Sequence, residues 1–409
     1  MAMGTAALLP MASDAVADEE AKSDGNGEIL DAVTNGKLLL NVRYRFEHVD
    51  QDGIANDANA HTIRTRLGWE TLPYKGLGAL VEFENVTPVG PENFNSTTNR
   101  RTAYPVVADP DGTEVNRLQL TSTWIPDTPV VVGRQVMVLD NHRFVGHVGW
   151  RQNQQTFDAI KLNNTSLDGF NATYGYILQA NRIFGEDSPV GTFDSDSHVL
   201  NVKYSGFGFG NVTGYAYLID IDDDAPALTS QTYGLRFAGK QKLNEKWGLL
   251  YTAEFAQQSD YADNPGNYDV NYYLIEPGIR YMGLAVKFGY EVLEGDGVNA
   301  FQTPFATLHK FQGWADKFLT TPANGVEDLY VSGQYALKNA GYLSGTKLHA
   351  VYHDFQANDD SLDHGSELDI AISKEIYDHT TLTLKYAGYN ADNLATDTTK
   401  FWLSVTFGL

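Results

Sequence analysis

Apolar and polar side chains alternate along most of this chain, and the alternation has a period of two residues. The segment 38–48 begins the pattern, with apolar or aromatic side chains at every second position: Leu38, Leu40, Val42, Tyr44 and Phe46. Because successive side chains of a β-strand point to opposite faces, this period is typical of strands with one apolar and one polar face. We count about eighteen such segments from residue 37 to residue 409, each near the 9–11 residues with which a tilted strand crosses a bilayer.

The connections between these segments are alternately short and long. The short ones are 72–76, 125–128, 206–208, 242–246, 282–283 and 376–379. The long ones include 86–114, 182–196, 220–230, 258–269, 294–327, 356–365 and 390–398. Outer-membrane barrels have tight turns at one rim and long loops at the other, whereas a soluble β-sandwich shows no such parity. The sequence therefore predicts an all-β fold, a transmembrane antiparallel up-and-down β-barrel of about 18 strands.

Aromatic residues at the ends of the predicted strands support this fold. Five lie beside short connections: Trp69, Trp124, Tyr204, Trp247 and Tyr281. Five more lie toward the opposite strand ends: Phe46, Phe83, Tyr176, Phe255 and Tyr290. Since such rings favour the level of the lipid headgroups, we expect two aromatic girdles and contact with outer-membrane lipid.

Two strands have special features. The last one carries apolar side chains at every second position to its end: Phe401, Leu403, Val405, Phe407 and Leu409. We expect barrel-assembly machinery to recognise this terminal strand. Within 270–281, Pro277 lacks the N–H that a sheet ladder requires, so we expect a bulge there.

The chain divides into three parts. Residues 1–17 form a short apolar stretch that ends in the small-x-small pattern of Ala15, Val16 and Ala17, and we interpret it as a partial signal peptide without its basic start. Residues 18–36 are polar and form a periplasmic N-terminal segment, with one helical turn around 28–33. Residues 37–409 form a single barrel, and an even number of strands places both ends on the periplasmic side.

Composition excludes several other classes of protein. The chain has no cysteine, which excludes a disulfide framework and a thiolate metal site. Its 52 acidic and 29 basic residues give a net charge of −23, which argues against binding to nucleic acid. No apolar run approaches the ~18 residues of a membrane-spanning helix.

Aspartates are concentrated in the long connections. They include Asp220, Asp222, Asp223, Asp224, Asp260, Asp263, Asp269, Asp359, Asp360 and Asp363. Carboxylate clusters suit hard cations such as calcium, but none of these has the spacing of an EF-hand loop. We expect solvated acidic loops beside a lipopolysaccharide surface, with no metal site and no cofactor.

Several stretches resemble the alginate-export family of outer-membrane proteins. LNVRYRFEHVDQDG (40–53) and HTIRTRLGWET (61–71) are similar to the first two strands of that family. More specific is GRQVMVLDNHRFVGHVGWRQNQQTFDA (133–159). A third stretch, GDGVNAFQTPFATLHKFQGWADKFLTTP (295–322), is similar to the long late loop of that family. The resemblance implies a monomeric eighteen-stranded barrel in the outer membrane of a Gram-negative bacterium. It also implies passage of an anionic sugar polymer or of smaller anionic solutes.

The polar face of the predicted strands faces a water-filled lumen and carries the candidate pore-lining residues. The basic ones are Arg43, Arg45, Arg64, Arg66, Arg117, Arg134, Arg236, Arg280, Lys240 and Lys287. Glu82 and Glu84 share this face and neutralise part of the basic wall that the first five strands form. Rings of Arg and Lys lower the barrier to anions, and the Arg fork matches a carboxylate. The same residues also pair into ladders that brace barrel walls, so both roles stay open.

The loop at 295–322 is the candidate gate. Its apolar and aromatic side chains include Phe301, Phe305, Leu308, Phe311, Trp314 and Phe318. This content is too apolar for a freely solvated loop, so we expect it to fold into the barrel mouth, with one or two helical turns around 304–318. A lid that packs across the rim is the alternative.

These observations favour a passive channel for anionic solutes, with uronate or alginate-type saccharides the specific suggestion. An unselective general diffusion porin is the alternative within the same class. A barrel enzyme or an adhesin would belong to another class. We predict no enzyme, because Gly-x-Ser-x-Gly and His-Glu-x-x-His motifs are both absent. His142, His147 and His309 lie in predicted loops, and we expect them to be surface or loop-packing residues.

Overall fold

Strands make up most of the computed structural model, which describes residues 25–222 and 224–409. The described residues contain eighteen strands: β1 (Lys37–Gln51), β2 (Ala58–Glu70), β3 (Leu77–Pro88), β4 (Gly112–Ser122), β5 (Val130–Gln135), β6 (Thr156–Asn164), β7 (Phe170–Asn181), β8 (Thr192–Phe207), β9 (Gly210–Ile219), β10 (Ser230–Lys242), β11 (Trp247–Asp260), β12 (Asp269–Tyr281), β13 (Leu284–Leu293), β14 (Val326–Ala336), β15 (Lys347–Gln356), β16 (Asp363–Tyr377), β17 (Thr380–Asn390) and β18 (Thr398–Gly408). One α-helix, α1 (Gly25–Thr34), precedes them, and 3₁₀ turns lie at Pro226–Leu228, Leu308–Lys310 and Gly341–Leu343.

The strands close into a barrel because the first strand pairs with the last. Each strand is antiparallel to its sequence neighbours, and β1 pairs with both β2 and β18. The closing ladder runs from the pair of Asn41 and Gly408 to the pair of Gln51 and Thr398. None of the eighteen described strands is left with an unpaired edge, which is how barrels avoid edge-to-edge association. The predicted all-β, eighteen-stranded antiparallel barrel is confirmed.

The two rims of the barrel differ in the length of their connections. On one rim β8 and β9 are joined by residues 208–209, and β12 and β13 by residues 282–283. On the other rim the connections include 89–111, 136–155 and 294–325. We refer to these as the short-turn rim and the long-loop rim. The long-loop rim supplies the segments that enter the lumen.

Period-two alternation separates an inner from an outer face, as β1 shows. Arg43, Arg45 and Glu47 are buried inside the barrel, while Tyr44 and Phe46 point outward. Apolar side chains such as Leu118, Ile275 and Leu329 stay more than half exposed on the outer face. Such an exposed apolar surface suits contact with hydrocarbon. The outer aromatic residues at the short-turn rim include Trp124, Trp247 and Tyr281, and the last two rings lie 4.3 Å apart.

The bulge expected at Pro277 is absent from its strand. Pro277 pairs with Tyr251 in an unbroken ladder between β11 and β12. Toward β13 the pairing stops after Ile275 and resumes at Gly278 in the same register. The missing N–H therefore interrupts one ladder without inserting a residue. Register shifts occur instead in other ladders, among them those between β3 and β4 and between β6 and β7.

The polar N-terminal segment forms a longer helix than the single turn that we expected. Helix α1 lies at the short-turn rim, where the indole Nε1 of Trp69 donates a hydrogen bond to Val33 O at 2.7 Å. Leu72 N donates to Ala32 O at 2.9 Å. The partial signal peptide at 1–17 and residues 18–24 lie outside the described residues, as does Asp223. Among the described residues, no helix is both long enough and apolar enough to cross a membrane.

Candidate solute pathway

Two long loops fold into the barrel and pack against each other. We call residues 136–155 the first inward loop and residues 294–325 the second. Gly146 N donates a hydrogen bond to Phe305 O at 2.8 Å, and Thr307 N donates to His142 O at 3.0 Å. The side chain of Gln155 adds a bond from Nε2 to Phe305 O at 3.0 Å. These backbone contacts join the two loops into one body that crosses the lumen.

Apolar side chains anchor the second inward loop to the barrel wall. All six predicted gate residues turn inward: Phe301, Phe305, Trp314 and Phe318 are buried, and Leu308 and Phe311 are half-buried. The ring centroids of Phe305 and Phe157 lie 5.5 Å apart, and those of Phe318 and Phe355 lie 4.5 Å apart. Burial of these rings is favourable because it removes their apolar surface from water, and the loop folds inward for this reason. Its regular structure is limited to the 3₁₀ turn at Leu308–Lys310.

A single carboxylate, Asp316, ties the second inward loop to three cationic or polar partners. Its Oδ2 lies 3.1 Å from Arg151 of the first inward loop and 2.8 Å from Lys400 of β18. Its Oδ1 lies 2.7 Å from His309 Nδ1. Burial acts to raise the pKa of Asp316, but Lys400, His309 and Arg151 outweigh burial and hold the pKa well below its ordinary value. The carboxylate is therefore ionised and fully partnered.

An aromatic cage holds Lys385 of β17 next to this carboxylate. Its Nζ lies 3.8 Å from the ring centre of Trp150 and 3.7 Å from that of Trp314. It also lies 2.7 Å from His309 Nε2. Burial and the charge of Lys385 lower the pKa of His309 well below its ordinary value, so the imidazole is neutral. We assign the proton of His309 to Nδ1, which donates to Asp316, and Nε2 accepts from Lys385.

Carboxylates of the barrel wall hold the backbone of the second inward loop. Trp314 N donates to Asp369 Oδ2 at 3.1 Å, and Ala315 N donates to Glu367 Oε1 at 2.6 Å. Gly313 has a φ of +80°, and a Cβ there would overlap the carboxylate of Glu367. Glycine is therefore required both by the left-handed backbone and by the close approach to the wall.

The predicted arginines of β1 contact the first inward loop. Arg43 donates from Nε to Gln152 Oε1 at 2.8 Å and from Nη1 to Gly149 O at 3.0 Å. Arg45 donates to the carbonyl oxygen of Trp150 and lies 4.1 Å from the centre of that indole ring. Both guanidinium groups are buried. They position the loop and are covered by it.

The other predicted charged residues of the lumen form pairs between strands. Arg117 pairs with Glu82 at 2.7 Å, Arg134 with Asp158 at 2.8 Å, and Lys287 with Glu276 at 2.8 Å. Ion pairs also join Arg66 to Glu84 and Arg236 to Glu254, whereas Arg64 donates a hydrogen bond to the neutral side chain of Asn41. Arg280 and Lys240 are exposed and line a depression at the short-turn rim. Carboxylates of the barrel wall therefore neutralise five of the predicted basic residues.

The inward loops divide the lumen into two cavities. The upper cavity, on the long-loop side, has a volume of about 590 Å³, and Leu308, His309 and Asp316 line it. The lower cavity, on the short-turn side, has a volume of about 660 Å³, and Lys310 and Trp314 line it. Residues 308–316 therefore form a partition between the two cavities.

Three loop cations face these cavities without a carboxylate partner among the described residues. Arg182 and Lys317 line the upper cavity, and Lys310 lines the lower one. Lys310 Nζ donates to Asn141 O at 2.8 Å, and the Arg182 guanidinium lies 4.0 Å from the ring centre of Phe193. Burial lowers the pKa of Lys310 and that of Lys317 to about 8 each, and burial lowers the pKa of Arg182 to about 10. All three are charged at neutral pH.

Sequence inspection did not identify these three residues. They lie in loops, where the alternation that assigns strand faces does not apply. The one available signal was that Lys310 and Lys317 stand within the aromatic-rich loop that was expected to fold inward. The aromatic rings anchor the second inward loop inside the barrel, and Lys310 and Lys317 therefore lie in the lumen as well.

The model of the alginate export family matches residues 35–400. This chain belongs to that family.

The barrel is also similar to solved structures at low sequence identity, which shows the fold. OccAB4 of Acinetobacter baumannii has a TM-score of 0.73 at 14% identity, with 93% of this chain and 99% of that chain covered. OpdO of Pseudomonas aeruginosa gives the same four values. For OccK9 (OpdG) of Pseudomonas aeruginosa the TM-score is 0.73 at 14% identity, over 92% of this chain and 100% of that chain. A comparison with curated protein sequences finds no match.

Two of the stretches that carry the alginate-export resemblance form the inward loops. The stretch 133–159 contains the first inward loop, and the stretch 295–322 lies within the second. Their contacts explain why these residue types stand together. Arg151 of the first loop pairs with Glu47 of β1 at 3.0 Å and with Asp316 of the second loop.

The histidines of these loops are engaged in packing. His142 and His147 lie with their ring centroids 5.0 Å apart, and burial lowers the pKa of each to about 4. His309 uses both ring nitrogens in hydrogen bonds and stacks on Trp150 at 4.6 Å. The Nδ1 of His142 lies 3.4 Å from Thr307 Oγ1, which is a further contact between the two inward loops. Membership of the alginate export family points to a channel.

Proposed function

We propose that this protein is an outer-membrane channel that passes anionic solutes by passive diffusion. The observation that carries the proposal is the placement of Arg182, Lys317 and Lys310. In a lumen whose other charges are largely paired, these cations face the two cavities without a carboxylate partner in the described part of the chain. Unpaired cations lower the electrostatic barrier to anions and raise the barrier to cations. Carboxylates, including the uronates that the family description suggests, are anions of the required kind.

The cations form a sequence along the path of a solute. An anion that enters from the long-loop rim meets Arg182 and Lys317 in the upper cavity. Beyond the partition it meets Lys310, and it leaves past Arg280 and Lys240, which are exposed at the short-turn rim. We propose that this sequence, and not the paired arginines of β1 to β5, sets the selectivity.

Ion selectivity in planar bilayers tests the proposal. We expect the permeability of chloride relative to potassium, obtained from reversal potentials in a potassium chloride gradient, to fall at least threefold in the R182Q/K310Q/K317Q variant. The matched control is Lys75→Gln, which removes one exposed positive charge from the short-turn rim. An unchanged permeability ratio in the triple variant contradicts the proposal. A ratio near that of free ions in the unmodified protein favours the general diffusion porin.

A further inference from the structure

We propose that the upper cavity is a binding site for amphipathic organic anions, molecules with one carboxylate on an aromatic or aliphatic body. This inference rests on the proposed channel function and names a substrate class for it. The cavity has a volume of about 590 Å³, which lies within the range of small-molecule sites. The cavity is lined by cations that can bind the carboxylate and by apolar side chains that can contact the apolar body of the ligand.

Arg182 is the residue that would bind the carboxylate of such a ligand. The Arg182 guanidinium lies 4.0 Å from the ring centre of Phe193 and 4.8 Å from that of Phe184, so its plane is held by aromatic neighbours. Its Nη1 donates to Val190 O at 3.1 Å. Nε and Nη2 have no hydrogen-bond partner in the described structure. A guanidinium fixed in this way retains donors for a carboxylate.

Lys317 supplies a second positive charge to the same cavity. Its ammonium lies 5.8 Å from the ring centre of Tyr389 and forms no ion pair with a described residue. The nearby lysine, Lys400, differs because Asp316 neutralises it at 2.8 Å. The upper cavity therefore has two cations available to an incoming anion.

Apolar side chains form the rest of the upper cavity. They include Tyr104, Val106, Ile183, Phe184, Leu308 and Leu319. Val106 is 47% exposed and Leu319 is 44% exposed, although both lie in the lumen mouth and not on the lipid-facing surface. Covering such exposed apolar surfaces with an apolar ligand removes them from water and is therefore favourable.

A saccharide body fits this lining poorly. Each sugar hydroxyl needs a hydrogen-bond partner when it leaves water, and carboxylates are the strongest acceptors for it. Asp316 is the carboxylate that lines the cavity, and both of its oxygens are already bound by His309, Arg151 and Lys400. The Nε2 of Gln155 is likewise bound to two backbone carbonyl oxygens. Gln51, Asn95, Thr102 and Thr320 also line the cavity and offer partners to a hydroxyl, but apolar side chains outnumber them. We therefore expect an apolar body to bind more tightly than a hydroxylated one.

Calorimetric titration of the full chain in detergent micelles tests this inference, because it measures binding without requiring conduction. The three probes are 3-phenylpropionate, its neutral alcohol 3-phenylpropan-1-ol, and glucuronate. We expect the dissociation constant of 3-phenylpropionate to be at least tenfold lower than that of either other probe. We expect R182Q/K317Q to raise it at least tenfold, and Leu319→Ser to raise it severalfold. Lys75→Gln is expected to leave it unchanged.

The outcomes separate this inference from the proposed function. Binding of glucuronate as tight as that of 3-phenylpropionate overturns the amphipathic site, as does binding that R182Q/K317Q does not weaken. Equal uptake of the alcohol and the acid would show partition into detergent or a purely apolar pocket, and also overturns it. If chloride selectivity persists in these cases, the anion channel stands and only the substrate class is wrong.

Discussion

At the scale of single residues, Asp316 holds the second inward loop in its position inside the barrel. It contacts Arg151, Lys400 and His309, which belong to the other inward loop, to β18 and to its own loop. Breaking a buried ion pair by removing one partner costs roughly 3–5 kcal/mol, because the remaining charge stays buried and unpaired. Here the orphaned charge would be that of Lys400, since Arg151 keeps Glu47.

Replacement of Asp316 by Asn is therefore expected to loosen the partition. We predict that Asp316→Asn raises the mean single-channel conductance at least twofold and increases its noise, because the loop leaves its docked position. The matched control is Asp296→Asn in the same loop, an exposed residue whose Oδ1 accepts from Val298 N and Asn299 N, a role that Asn retains. Identical conductance in the two variants would contradict the assigned role of Asp316.

The pH dependence of selectivity follows from two lysines. The pKa values of Lys310 and Lys317 are both lowered by burial to about 8, so both lose their positive charge as the pH rises through this value. We predict that the chloride preference falls between pH 7 and pH 9, measured by reversal potential. In K310Q/K317Q this change is expected to vanish, and a change that persists there would assign it to other groups.

At the scale of elements, the two inward loops differ in how far their sequences indicate their position. The second loop is rich in apolar and aromatic side chains, among them the six predicted gate residues, and this composition predicts burial. The first loop ends in Arg151, Gln152, Asn153, Gln154 and Gln155, a composition typical of a solvated segment. These polar side chains are nevertheless buried, because the luminal wall supplies their partners, as Arg43 and Thr62 do for Gln152. A polar loop in a polar lumen leaves no apolar pattern to detect.

Deletion of residues 301–318 tests the role of the second loop as an element. We predict a larger conductance, because the partition at 308–316 is removed. We also predict a lower chloride preference, because the deletion removes Lys310 and Lys317 and uncovers the carboxylates of Glu291, Glu367 and Asp369. The control is deletion of residues 359–361, in the loop between β15 and β16. Unchanged conductance after deletion of 301–318 would leave the loop as packing at the rim.

The glycine at the centre of the partition illustrates a second limit of sequence reading. Gly313 lies in a loop where a glycine has many roles. Only the position of Glu367 on β16 shows that a Cβ would collide with a wall carboxylate. The contact joins residues 54 positions apart, so no local pattern encodes it.

At the scale of the whole molecule, net charge and lumen charge are separate quantities. The chain carries a net charge of −23, yet both cavities are lined by cations, Arg182, Lys317 and Lys310, that have no carboxylate partner among the described residues. The excess of acidic residues is partly absorbed in luminal pairs such as Glu82 with Arg117 and Asp158 with Arg134. Much of the rest lies in loops at the long-loop rim. Overall charge therefore does not indicate which ions the channel favours.

Local periodicity was sufficient to predict the number of strands, their inner and outer faces and the unequal rims. In a barrel each strand repeats the same two-residue alternation, so a short segment of sequence is enough to identify a strand and its two faces. Family membership was likewise recognisable from contiguous stretches such as 133–159 and 295–322.

The state of each charged group depended on closure of the barrel. Arg43 meets Gln152 and Lys385 meets His309 only because distant strands and loops are brought together across the lumen. Basic side chains therefore brace the first inward loop from β1, whereas Arg182, Lys310 and Lys317 line the cavities without a carboxylate partner among the described residues. An ion pair requires a partner within about 4 Å, and this distance is a property of the folded chain and not of residue spacing.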